Sequence, residues 1–216
     1  GMNAKELILN GKAALGIEFG STRIKAVLIG ENHETLALGT HDWENRLVDS
    51  IWTYTLEDIW GGLQDCYGSL VKDVKAKYDA EITKLSAIGF SAVMHGYLAF
   101  DKDDNLLVPF RTWRNTITAQ SSAILTEKLG FNIPQRWSIS HLYQAVLNKE
   151  AHVKDVAFFT TLAGYIHYKL TGEKVLGVGD ASGMFPIDAN TNDYNQKMVA
   201  QFDELMAGEG FSWKLA

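Results

Sequence analysis

One carboxylate, two hydroxyls, a glycine and a lysine fall together in the stretch ALGIEFGSTRIKAVL, Ala14 to Leu28. Gly20, Ser21 and Thr22 offer backbone N–H groups and side-chain hydroxyls, and Lys25 adds a cation a few residues on. Donors of this kind suit an anion with many acceptor oxygens, such as a phosphate. The carboxylate of Glu18 suits the hydrated Mg²⁺ that accompanies nucleotide phosphates. The same residues also make an ordinary hairpin tip, which needs no ligand.

Three further segments carry chemistry. Asp180 sits in GVGDASGM, where glycines and small residues let backbone come close to a ligand. A carboxylate so placed can accept the proton of an alcohol as its oxygen attacks phosphorus; an Asx-turn is the plain alternative. Met94-His95-Gly96 follows an apolar run, and ligand loops sit at strand ends in α/β folds, although a lone His serves equally as a structural side chain. Trp113-Arg114-Asn115 joins an aromatic face, a fixed cation and an amide, which suits a polyol and also fits a helix-entry loop with a packed Trp.

The elements that must position these residues follow from periodicity. Leu15, Ile17 and Phe19, then Ile24, Ala26 and Leu28, alternate as two strands, and Glu34 to His41 predicts a third. Apolar residues from Leu56 to Tyr78 recur at three- and four-residue steps, which predicts a long helix with Thr55 as N-cap. Gly61-Gly62 weakens it by about 1 kcal/mol per glycine, so close packing or a bend is expected there. Leu85 to Ser91 predicts a buried strand, and Tyr97 to Phe100 with Leu106 to Phe110 a hairpin. Helices are predicted over Thr116 to Leu129, Ser140 to Lys149, Leu162 to Leu170 and Asn195 to Met206, with a strand at Val156 to Phe159. A meander followed by helices alternating with strands points to an α/β fold. Its mixed sheet carries helices on both faces, as in the ribonuclease H-like, actin-like lobe.

Composition narrows the partners. The 216 residues hold 20 Lys and Arg against 26 Asp and Glu, a net charge of −6 without a basic stripe, so no nucleic-acid surface is expected. No apolar run is long enough to cross a bilayer, and no membrane partner is expected. The single cysteine, Cys66, excludes an internal disulfide and a Cys-based zinc site, and fits a cytoplasmic location. Its place in a helical apolar stripe predicts a buried thiol. Gly1 before Met2 reads as a tag remnant, and residues 1–13 as a lead-in.

The order LGIEFGSTRIK, GFSAVMHG, PFRTWRN, GDASGM resembles the N-terminal domain of the FGGY carbohydrate kinases, and most resembles their xylulokinase branch. The resemblance runs from Leu15 to about Asp188. It implies ATP and Mg²⁺ as cofactors and a small sugar as substrate. Phosphate contacts fall on Gly20, Ser21, Thr22 and Lys25, sugar contacts on Met94, His95, Trp113, Arg114 and Asn115, and the base on Asp180. Metal contact through water falls on Glu18 and Asp180. The family usually has Asp where Glu18 stands, and Asn-Asp where xylulokinases match Arg114-Asn115. Family members continue into a nucleotide-binding domain, so residues 14–216 are expected to be the sugar-binding lobe alone, inactive by itself and completing its ATP site with that absent domain. Homodimerisation through apolar surface left uncovered is a further expectation. A non-catalytic sugar-binding or regulatory module is the competing reading, and another actin-like ATPase a third.

Overall fold

The computed structural model describes residues 1–92, 96–112, 117–171, 187–188, 193–210 and 215. The chain forms two compact units, one of Gly1–Asn45 with Tyr54–Val93 and one of Arg46–Thr53 with Met94–Ala216.

In the first unit the alternation of apolar and polar residues is realised as an antiparallel meander of β1 (Ala14–Phe19), β2 (Arg23–Ile29) and β3 (Thr35–Asp42). Two short strands of the second unit, β4 (Arg46–Val48) and β5 (Ile51–Thr53), come next in the chain. The sheet of the first unit is completed by β6 (Ala87–Ala92), which pairs parallel to β1 and gives the order β3-β2-β1-β6. This is a mixed sheet, as expected. The strand predicted as buried differs: Ala87, Ile88 and Gly89 are exposed, because β6 ends the strand order and has only β1 beside it among the described residues. The lead-in holds a short helix, α1 (Ala4–Leu9), capped by the Asn3 side chain and anchored by buried Leu7 and Ile8.

Helix α2 (Leu56–Tyr78) covers one face of this sheet. Its start is a capping box: Thr55 Oγ1 accepts from the Asp58 amide at 3.0 Å, and the Asp58 carboxylate accepts from the Thr55 amide at 3.1 Å. Glu57 and Asp58 in the first turn, and Lys75 and Lys77 in the last, complement the helix dipole. Ile59, Gly62, Cys66, Leu70 and Val74 form the buried stripe, whose two small residues are Gly62 and Cys66. A Cβ on Gly39 of β3 would stand 2.4 Å from the Cys66 carbonyl oxygen, and one on Gly62 would stand 2.9 Å from Ile24 Cδ1. The Gly62 position is therefore a close approach of helix to sheet. Cys66 is buried beneath it, and burial raises its thiol pKa to about 11.

In the second unit β7 (Gly96–Phe100) lies between β8 (Arg111–Thr112) and β9 (Phe158–Thr160). The helices are α3 (Ala119–Leu129), α4 (Ser138–Leu147), α5 (Leu162–Thr171) and α6 (Gln196–Gly208). Tyr97 and Ala99 join the core built with α3, α4 and α6, while Phe100 stacks on Tyr165 of α5 at 5.4 Å. Alternate residues of β7 thus meet helices on opposite faces, which accounts for its complete burial. The predicted hairpin forms in part: Phe100 bridges Leu106, but residues 107–110 are not a strand, and Gly96 and Tyr97 pair instead with Thr112 and Arg111 of β8. Asp101 makes the tip, where its carboxylate accepts from the amides of Asp103 and Asn105 at 2.8 and 2.9 Å. The strand predicted at Val156 to Phe159 starts later, because a 3₁₀ turn occupies Ala151–Asp155. Helix α4 begins before the expected Ser140, and the other helices fall within a few residues of expectation.

Candidate active site

The residues proposed for phosphate, and Glu18 of the two proposed for metal, lie in the first unit. Glu18 and Lys25 face each other across β1 and β2, and the register extends to Ser91 on β6 and Thr40 on β3. Because side chains alternate between faces, Ser91, Glu18, Lys25 and Thr40 form one row on the face away from α2. Glu18 and Lys25 are both exposed, and neither closes an ion pair among the described residues. An open concavity of about 480 Å³ lies along this row, lined by Gly16, Glu18, Lys25, Val27, Gly89 and Ser91. Gly16 and Gly89 are register partners, and a Cβ on Gly89 would meet nothing within 4 Å. Two adjacent glycines leave the floor of the concavity at backbone level.

Beyond the next pair, Phe19 and Ile24, the chain turns through Gly20, Ser21 and Thr22. The Gly20 amide donates to the Arg23 carbonyl at 2.8 Å. A Cβ on Gly20 would also stand 2.8 Å from that oxygen, so only glycine fits without moving backbone. The three turn carbonyls all point back into the unit. The Trp43 indole Nε1 donates to Gly20 at 2.8 Å, the Tyr54 hydroxyl donates to Ser21, and the Trp43 amide donates to Thr22 at 3.1 Å. Trp43 and Tyr54 are buried and pack ring against ring, 4.1 Å between centroids, with Phe19 at 6.1 Å from Trp43.

The donor set fits a phosphate group: amides of Ser21 and Thr22, two hydroxyls and the Lys25 ammonium. Glu18 is an exposed carboxylate, and among the described residues no cluster of three or more His, Cys, Asp or Glu could enclose a metal. An exposed carboxylate beside such a donor set suits a hydrated Mg²⁺ shared with phosphate oxygens.

The sugar and base residues Met94, His95, Trp113, Arg114, Asn115 and Asp180 lie outside the described residues. Their neighbours are described. Strand β7 starts directly after His95, and β8 ends directly before Trp113. A buried polar cluster holds these two strands. Arg111 reaches Glu150 through two hydrogen bonds of 3.1 and 2.5 Å and lies 5.8 Å from the centre of the Tyr97 ring. The Tyr97 hydroxyl meets His152 Nε2 at 3.0 Å, and His141 stacks on Tyr97 at 6.1 Å. Burial and the Arg111 charge hold both imidazoles below the ordinary histidine pKa, His141 at about 3. Burial pushes Glu150 up, but the hydrogen bonds and charge of Arg111 outweigh it and keep Glu150 ionised. Both His141 nitrogens are buried without a hydrogen-bond partner among the described residues.

Sequence reasoning missed Trp43, Tyr54, Arg111 and Glu150. Trp43 and Tyr54 carry no motif, and only the folded register brings them beneath the turn. Arg111 stands two residues before Trp113 in a polar stretch, yet it is buried, and nothing in local spacing links it to Glu150.

The N-terminal domain of the FGGY family of carbohydrate kinases matches residues 13–206. A xylulose kinase of Klebsiella pneumoniae is 23% identical over 88% of the chain, and a glycerol kinase of Thermococcus kodakarensis is 23% identical over 89% of it. Among solved structures, a xyloylose kinase from Brucella ovis superposes with a TM-score of 0.73 at 19% identity over 88% of the chain. In each case the match takes in 40% of the other protein. The chain thus spans about two fifths of the length of the relatives it matches, and the structural likeness establishes the actin-like fold.

Proposed function

The chain belongs to the FGGY family of carbohydrate kinases, and from that premise we propose that it is the N-terminal lobe of an ATP-dependent kinase. Its substrate is a ketose such as xylulose or a related sugar. The observation that carries this reading is the family match across residues 13–206, together with a glycine turn whose carbonyls are all directed inward beside the facing pair Glu18 and Lys25.

In this reading Gly20, Ser21, Thr22 and Lys25 hold the transferring phosphate. Met94, His95, Trp113, Arg114 and Asn115 hold the sugar and set which hydroxyl is presented. Asp180 accepts the hydroxyl proton as the oxygen turns towards phosphorus. Glu18 and Asp180 hold Mg²⁺ through water; when bound, the ion supplies charge neutralisation on the phosphate oxygens. The longer carboxylate arm of Glu18, compared with the family's usual Asp, reaches one methylene further into the same space. Transfer needs the remaining half of the clamp to keep phosphate and hydroxyl in line and away from water, so this chain alone is expected to bind and not to turn over.

Calorimetry of the chain against a panel including xylulose and glycerol tests the sugar site. Saturable binding is expected for one member, lost in Trp113→Ala and kept in Asp180→Asn. No binding by any member removes the sugar site. In a form of the protein that also carries a nucleotide lobe, Asp180→Asn should lower ATP-dependent phosphorylation by at least about 100-fold. Unchanged turnover removes Asp180 as the base. Sugar binding without phosphorylation in that form would instead support a non-catalytic sugar-binding module.

A further inference from the structure

We propose that Trp43 and Tyr54 are positioning residues for phosphate: by holding the carbonyls of Gly20, Ser21 and Thr22 inward, they aim the amides of Ser21 and Thr22 at the ligand. The inference rests on reading Gly20 to Lys25 as a phosphate site and adds what gives that site its shape.

In a trans peptide the carbonyl and the following N–H point in opposite directions, and no cis peptide occurs among the described residues. The Gly20 carbonyl is held inward by the Trp43 indole, so the Ser21 amide points away. The Ser21 carbonyl is held by the Tyr54 hydroxyl, so the Thr22 amide points away. Neither amide has an acceptor among the described residues. Successive amides directed to one side make an anion-binding concavity.

The turn is not one that a short hairpin adopts by itself. Two-residue hairpin loops favour turns with positive φ at one or both central residues. The second unit contains such a loop between β4 and β5, with Asp49 at φ 49° and Ser50 at φ 67°. The residues Gly20, Ser21 and Thr22 are not among those with positive φ. The difference lies in what the carbonyls bond. The Gly20 carbonyl, which could otherwise accept from Arg23 and close the loop, goes to Trp43. Two buried aromatic donors and one backbone donor therefore impose a shape that the local sequence does not supply.

The test removes donors while leaving rings in place. Trp43→Phe deletes the indole N–H and Tyr54→Phe deletes the hydroxyl. Tyr78→Phe is the matched control, because the Tyr78 hydroxyl also donates to a backbone carbonyl of this unit, that of Leu36 at 2.7 Å, away from the turn. The probe is inorganic tripolyphosphate, titrated into the chain and followed by amide resonances in two-dimensional NMR. In the wild type the Ser21 and Thr22 amides should shift saturably. Tyr54→Phe and Trp43→Phe should each weaken affinity about five-fold or more, with Tyr78→Phe within two-fold of wild type. Equal affinity in both turn variants, or saturation that leaves the Ser21 and Thr22 amides unmoved, overturns the positioning role while the phosphate site stands. No saturable shift anywhere in the wild type overturns the phosphate reading and this inference with it. A purely structural role predicts lowered melting temperature in all three variants without loss of affinity in any, which is also a refutation.

Discussion

The two units hold their candidate ligand loops by different means. In the first, the turn at Gly20 is fixed by neutral donors on backbone carbonyls, and the ion pair beside it, Arg23–Asp42, joins side chains more than half exposed. In the second, the strands that lead to His95 and Trp113 are fixed by charge taken out of water, with the Arg111 side chain 10% exposed and Glu150 27%. An exposed pair contributes between nothing and about 1 kcal/mol, whereas a buried charge that loses its partner costs several. Breaking the Arg111–Glu150 pair should therefore cost more stability than breaking Arg23–Asp42, and Glu18 and Lys25, which close no ion pair among the described residues, are the charges of the first unit available to a ligand.

The largest effect should follow from breaking the buried pair. Glu150→Ala strands Arg111 beside Tyr97 and should cost about 3 kcal/mol, read as a lower urea midpoint with unchanged slope. Replacing both partners, Arg111→Met with Glu150→Leu, should recover most of that loss, because no unpaired charge remains. A double variant as unstable as Glu150→Ala would show that the pair's shape, not its charge, holds β8.

Acid should expose the same asymmetry. His141 has a depressed pKa in the folded state, so the unfolded chain binds more protons between the ordinary histidine value, about 6.5, and the folded value of about 3. Stability from this group is complete above pH 6.5 and falls as pH drops through that window, by up to about 1.4 kcal/mol per pH unit. His152 is shifted in the same direction by burial and Arg111, with Glu150 and Asp155 opposing, so it adds to the slope. His141→Leu should flatten the acid limb of the stability profile. It should also leave stability at pH 7 equal or higher, since two buried nitrogens without partners disappear. An unchanged acid limb would remove His141 as its source.

Within the first unit the close helix–sheet approach should matter more than any ion pair. Gly39→Ala places a methyl group against the backbone of α2 at Cys66 and Leu70, and overpacking of this kind costs about 1–3 kcal/mol. Gly39 also shows what was legible in the sequence. The meander, the long helix and its N-cap were readable because apolar periodicity and a capping residue act locally. Close packing at Gly62 and burial of Cys66 were readable too; what they pack against was not, since the approach of α2 to the sheet is made possible by Gly39 on another strand. Likewise the turn at Gly20 was visible as a motif, but its shape depends on Trp43 and Tyr54. The exposure of β6 depends on strand order. Long-range pairing, not propensity, decides each of these.

The smallest stability effect is expected where the functional effect is greatest. Lys25 is exposed and closes no ion pair among the described residues, so Lys25→Met should change folding stability by less than about 0.5 kcal/mol. It stands opposite Glu18 on an exposed face near the turn, where packing makes no use of its charge. If the row exists for a ligand, the same substitution should lower tripolyphosphate affinity about ten-fold and reduce its salt dependence, because a screened charge contact is gone. If stability falls by more than 1 kcal/mol while affinity is unchanged, the charges of the first unit serve the fold after all. The contrast between a unit that buries charge for structure and one that displays it for binding would then be lost.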